Sequence, residues 1–299
     1  LFRKISALSL CLVLALPLTA CAAKPAPADG KIKVSVTFDA MKEFTEAVGG
    51  DKVDISTIIP DGEEPHDFEP KPKDLVGISG AKVLVYNGMG MEAWIDEAIN
   101  AAGNSSLVAV DASEGVAPIT DTDSSEESER GQDDPHVWIS LKGAETEARN
   151  IEKGLSKADP KNAAYYEKNC SAFTAQLDGL YKTYAAKFKQ SPRKDFVTGH
   201  AAFAYLCRDF GLKQESVEDV FADGEPSAQK LKELIDYCRQ SGVKTVFVED
   251  MVSPAVSKTL ADSVGAKVET IYTIESSENG KSYLSRMKAN LEEIENSLA

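Results

Sequence analysis

Short apolar runs alternate with amphipathic stretches along the chain, the arrangement expected of an α/β fold. In the first half, apolar runs predict strands at 32–37, 53–59, 83–86 and 107–111, and helical periodicity predicts helices near 41–48, 72–79 and 92–101. In the second half the strands fall at 196–198, 216–217, 245–248 and 267–274, with helices near 202–210, 228–240, 253–264 and 283–298. A further helix begins beyond Ser140. Between the halves the pattern changes. Tyr166, Cys170, Phe173, Leu177, Leu180, Tyr184 and Phe188 step by three and four, which places them on one helix face. Pro160 suits a first helical turn and Pro192 marks a stop. A single helix over 160–191 would run roughly 45 Å. The predicted architecture is two α/β lobes, 31–159 and 192–299, each a mostly parallel sheet flanked by helices, joined by that helix as a rigid strut.

The first twenty residues interrupt this pattern. Arg3 and Lys4 precede an apolar run that is too short for a membrane helix, which needs roughly 20 residues. A basic start, a short apolar segment and small residues at 18–20 predict an export signal over 1–20. Leu18-Thr19-Ala20-Cys21 resembles the lipobox of bacterial lipoproteins, which implies lipidation of Cys21. Residues 21–30, rich in Pro and Ala, then form a flexible tether, and the mature protein hangs from the membrane by lipid.

Charge and cysteine usage narrow the class. The formal charge is −15, and losing Arg3 and Lys4 with the signal makes the remainder more acidic. Such a chain is repelled by nucleic acid and by anionic membrane surfaces. Beyond Cys11 and Cys21, three cysteines remain, Cys170, Cys207 and Cys238. They read as small buried apolar residues, with one disulfide allowed by an oxidising compartment. Residues 121–134 hold seven acids against one arginine and no apolar side chain, so they predict a solvated loop.

The chain has only three histidines, His66, His136 and His200. They lie too far apart for a short chelating motif, so any shared site must be assembled by the fold. His66 lies in a proline-stiffened loop after the 53–59 strand; His136 follows Asp134-Pro135 ahead of a helix; His200 closes Phe196-Val-Thr-Gly-His just beyond a strand. Open α/β sheets bind ligands beyond the carboxyl ends of their strands. Two facing lobes would bring His66 and His136 together with His200 around one ion. A carboxylate would complete a tetrahedral shell, and Glu275, at the end of the 267–274 strand, is placed to supply it.

Asp61-Gly-Glu-Glu-Pro-His66-Asp-Phe-Glu-Pro, Asp134-Pro-His136-Val-Trp-Ile-Ser, Gly199-His200-Ala-Ala-Phe-Ala-Tyr-Leu and Ala222-Asp-Gly-Glu-Pro-Ser227 resemble the zinc-binding lipoproteins of bacterial metal ABC transporters. The resemblance implies two lobes, a long helix and a metal between the lobes held by His66, His136 and His200. It implies an extracytoplasmic, monomeric, non-enzymatic receptor that delivers Zn²⁺ to a membrane permease. Manganese-binding relatives tend to carry glutamate at the third position, so His200 favours zinc. Some zinc members place a glutamate where Glu275 stands; others use water or an acid beside the first histidine, which keeps Glu63 and Glu64 as rivals. Residues 121–134 lack the histidines that many zinc members carry there. The alternatives are a manganese receptor, a zinc hydrolase using Glu63, Glu64 or Glu275 as base, and an adhesin for host matrix.

Overall fold

A computed structural model describes residues 30–120, 131–221, 226–249, 254–278 and 280–299. The expected signal, Cys21 and the tether up to residue 29 lie outside the described residues. So do 121–130 of the acidic segment and 222–225 of the Ala222–Ser227 motif.

The first sheet is built from β1 (Ile32–Val36), β2 (Val53–Thr57), β3 (Val83–Tyr86) and β4 (Val108–Asp111), all parallel in the order β2-β1-β3-β4. The second repeats that order with β5 (Asp195–Thr198), β6 (Lys213–Ser216), β7 (Thr245–Val248) and β8 (Lys267–Thr270), as β6-β5-β7-β8. Parallel strands covered on both faces read as unbroken apolar runs. The inner strands obey this, with Val-Leu-Val in β3 and Thr-Val-Phe in β7 fully buried. The edge strand β2 is mostly exposed, and β8 has no buried residue.

Helices α1 (Asp39–Gly49), α2 (Pro72–Gly80), α3 (Ile95–Ala102) and α4 (Leu141–Ala158) cover the first sheet; α6 (Ala204–Phe210), α7 (Ala228–Ser241) and α8 (Pro254–Val264) belong to the second. Between them α5 (Ala163–Gln190) runs 28 residues after a 3₁₀ turn at Pro160–Asn162. Its buried face carries Tyr166, Cys170, Phe173, Leu177, Tyr184 and Phe188, as the periodicity predicts, with Leu180 half-buried beside them. All three described cysteines are free and buried. Among the described residues no helix is long and apolar enough to cross a membrane.

Three expectations change in detail. The helix predicted from residue 92 starts at Ile95 because the Glu92 carboxylate instead accepts N–H bonds from Asn87 and Gly88 and the Thr37 hydroxyl. The strand predicted at 216–217 is Lys213–Ser216. The last strand stops at Thr270, not at residue 274. Beyond Ile271, the Tyr272 N–H and C=O are taken by the side-chain amide of Asn290 at 2.9 and 2.7 Å, so no strand partner is needed. Ile274 then adopts a left-handed φ of 62°, which a regular strand excludes.

This break redirects the end of the chain. The segment from Ile271 onward, read from sequence as part of the second lobe, packs on the first through α9 (Tyr283–Ser297). Tyr283 stacks edge-on against Phe44 of α1 and donates its hydroxyl to the Trp138 carbonyl at 2.6 Å. The Trp138 indole N–H donates to the Thr273 carbonyl at 2.7 Å. Residues 31–299 therefore form one compact unit with two chain crossings between the sheets.

Candidate metal centre

Hydrogen bonds aim the rings of His136 and His200, while the Nδ1 of His66 has no partner. His136 follows Asp134-Pro135, and one oxygen of Asp134 accepts both the His136 backbone N–H and Nδ1–H, each at 2.8 Å. With Nδ1 engaged by Asp134, Nε2 is the His136 nitrogen that faces the other rings. Tyr205 of α6 holds Asp134 in turn, donating its hydroxyl to the Asp134 carbonyl at 2.7 Å. His200 lies two residues beyond β5; its Nε2–H donates to the Val220 carbonyl at 3.0 Å, which leaves the lone pair on Nδ1. Its backbone N–H donates to Glu249, the residue just beyond β7, at 3.3 Å. A side chain at Gly199 would displace the second oxygen of Glu249. His66 sits in the loop after β2, where Gly62 donates to the Ser276 hydroxyl at 2.9 Å and Asp61 accepts from the Ser277 N–H at 3.0 Å.

The three rings meet at the carboxyl ends of both sheets. One donor atom from each of His66, His136 and His200 lies within 4.8 Å of the other two, and among the described residues no other group of three or more histidine, cysteine or acidic side chains converges this way. His66 Nε2 and His136 Nε2 are 3.3 Å apart. His66 and His200 have pKa values well below the ordinary range, because burial penalises the charged ring and His136 adds like-charge repulsion. Buried neutral imidazoles are in the protonation state that metal ligation requires.

Glu275, on the segment beyond β8, lies beside His136 but outside the three-histidine convergence. It is 4% exposed, and its Oε1 lies 3.9 Å from His136 Nε2 with no hydrogen-bond partner, while Oε2 accepts the Thr273 hydroxyl at 2.9 Å. Burial, then the charge of Glu64, hold its carboxyl well above the usual range. The two rivals separate. Glu63 turns outward to Lys71 at 3.8 Å, whereas Glu64 stays by the site and accepts the His66 N–H at 3.3 Å. Sequence reasoning did not single out Glu249, Val220 or Phe221, whose ring lies edge-on to His66 at 5.5 Å. An acid directly beyond an inner strand was the legible signal for Glu249; the carbonyl of Val220 left none.

Two topologically matched parallel α/β lobes, one connecting helix and a convergent donor cluster at their junction define a solute-binding protein. The sequence profile of the family described as zinc-uptake complex component A, periplasmic, matches residues 34–297, and the chain belongs to that family. It is 38% identical over 280 residues to the high-affinity zinc uptake system protein ZnuA of Bacillus subtilis, covering 90% of this chain and 88% of that protein. It is 45% identical over 272 residues to a Treponema pallidum protein named for metal binding, covering 88% and 86%. The mutant structure of the laminin-binding adhesin Lmb from Streptococcus agalactiae superimposes with a TM-score of 0.83 at 35% identity, covering 90% of this chain and 100% of that one.

Proposed function

We propose that this chain is an extracytoplasmic receptor that captures Zn²⁺ with His66, His136, His200 and Glu275 and gives it up to the permease of an ABC importer. The observation that carries this reading is the convergence of three imidazoles, His136 and His200 buried and His66 half-buried, with the unpartnered Oε1 of a buried carboxyl beside His136. Three neutral nitrogens and one oxygen form a tetrahedral set suited to Zn²⁺, and four protein ligands close the shell. A closed shell leaves no metal-bound water to activate, which favours carriage of the ion over hydrolysis. The ion is cargo. The lobe boundaries at 31–159, 160–191 and 192–299, lipid attachment at Cys21 and a monomeric state belong to the same reading.

The test is metal content after purification from the native host, followed by competition between Zn²⁺ and Mn²⁺. One zinc per chain, retained against excess Mn²⁺, is the expected result. Preferential retention of Mn²⁺ would sink the zinc assignment. The Streptococcus agalactiae neighbour is named a laminin-binding adhesin, which motivates laminin binding as a second reading. Saturable binding to immobilised laminin, compared with and without Zn²⁺, would establish or dismiss it.

A further inference from the structure

Arg286, on the first turn of α9, is 0% exposed. Its Nη1 donates to the Ser276 carbonyl at 2.7 Å and to Glu278 Oε2 at 3.1 Å; its Nη2 donates to Asp39 Oδ2 at 2.5 Å and lies 3.7 Å from Glu43. Asp39 is the first residue of α1, and its backbone N–H donates to the Glu275 carbonyl at 3.2 Å. The guanidinium and Asp39 therefore grip the main chain on both sides of the peptide linking Glu275 to Ser276. Ser276 is fastened a second time where its hydroxyl accepts the Gly62 N–H, in the loop that carries His66.

A buried ion pair is a poor source of stability, because desolvation offsets most of the attraction. What a planar, forked donor supplies is geometry: it fixes two acceptors relative to each other. The position of this one is informative. Ile274, immediately before Glu275, has a φ of 62°, an unfavourable conformation for a β-branched residue that persists only where surrounding contacts impose it. Ile274 is fully buried, the Trp138 indole holds the Thr273 carbonyl before it, and Asp39, Arg286 and Gly62 hold Glu275 and Ser276 after it, all on the first-lobe side of the junction.

We propose that Arg286, acting with Asp39, is the positioning residue for Glu275: it holds the 274–276 turn so that Oε1 faces the imidazoles, and its loss weakens Zn²⁺ binding through Glu275 and not through the fold. The inference rests on Glu275 being the fourth ligand, and a mutant cycle separates the two claims. Zn²⁺ affinity would be measured by competition with a chelator for the full chain, Arg286→Lys, Glu275→Gln and the double variant. Arg286→Lys keeps the buried charge and removes only the fork. It is expected to bind Zn²⁺ roughly 10- to 100-fold more weakly, while the metal-free protein melts as a single transition. In the Glu275→Gln background the same change should cost nothing further, because coupled residues are not additive. Co²⁺-loaded Arg286→Lys should show the visible absorption of Co²⁺-loaded Glu275→Gln, a signature that general loosening would not reproduce. Arg286→Met serves as a second probe if Lys still bridges both acceptors. Equal losses with and without Glu275, or wild-type affinity in both Arg286 variants, would overturn the positioning role alone. Wild-type affinity in Glu275→Gln would overturn the fourth ligand, and the positioning role with it.

Discussion

His136 shows how much one carboxylate fixes. Asp134 takes both the backbone and ring N–H groups at 2.8 Å, so the tautomer, the ring plane and the direction of Nε2 are set by a residue two positions earlier. Carboxylate partners of metal-binding histidines also raise ligand basicity, and losing them typically costs 10- to 100-fold in affinity. Asp134→Asn keeps an acceptor oxygen but removes the charge, so a loss near the lower end, about 10-fold in Zn²⁺ affinity, is expected by chelator competition. Glu249 makes a prediction about the metal-free protein. Burial raises its carboxyl to about 8 from 4.5. In the unfolded chain it loses its proton near 4.5, while the folded protein keeps it until about 8. Between those values the folded state binds more protons, so its contribution falls as pH rises, by up to ~1.4 kcal/mol per unit. Denaturant melts of Glu249→Gln should gain on the native sequence from pH 5 to pH 8. A difference that stays flat over that range would contradict the assignment.

At the level of elements, the clearest lesson is the end of β8. Lys267-Val-Glu-Thr-Ile-Tyr-Thr-Ile274 alternates and branches like a strand, and nothing within it signals a stop. The stop is supplied by Asn290, eighteen residues later, whose amide imitates a neighbouring strand at Tyr272. Replacing Asn290 with leucine would leave a backbone N–H and C=O of Tyr272 without partners. A destabilisation of about 1–3 kcal/mol is expected in urea melts, with no effect if water reaches both groups. The same contrast explains what was legible. Inner strands and α5 stood out because burial imposes a period over their whole length, and His66, His136 and His200 because their motifs are local. Invisible were the features made by distant side chains: the left-handed Ile274, the return of α9 to the first lobe, and the hydrogen bonds that aim His200. Glu275 was placed as a strand end; it lies five residues beyond one.

For the molecule as a whole, the two crossings decide how the site can open. Helix α5 is continuous across the junction and is buried at both ends. Phe173 packs on Phe44 and Tyr283 at one end, and Phe188 on Phe210 at the other. The return crossing is fastened independently, with Lys187 of α5 paired to Glu295 of α9 at 2.6 Å and Arg193 bonded to the Ser297 carbonyl. A hinge of many degrees would have to bend α5, or turn at the four-residue link 191–194 that Arg193 fastens to the Gly242 and Ser297 carbonyls, and break the second connection as well. The His66 loop and Glu275 are tied to each other and to the first lobe, Asp134 beside His136 is also held by Tyr205 of α6, and His200 stands on the second lobe, so under the proposed ligand set His200 is the one that shifts with that lobe. The expectation is a small rearrangement of the His200 turn and not closure of two lobes. Solution scattering of the metal-free and Zn²⁺-loaded protein should give the same radius of gyration within error. Hydrogen exchange should instead slow on loading at 198–203 and 271–277, while amides of α5 stay unchanged. A contraction on zinc binding comparable to hinged binding proteins would show that α5 bends, and that release is governed by the lobes after all.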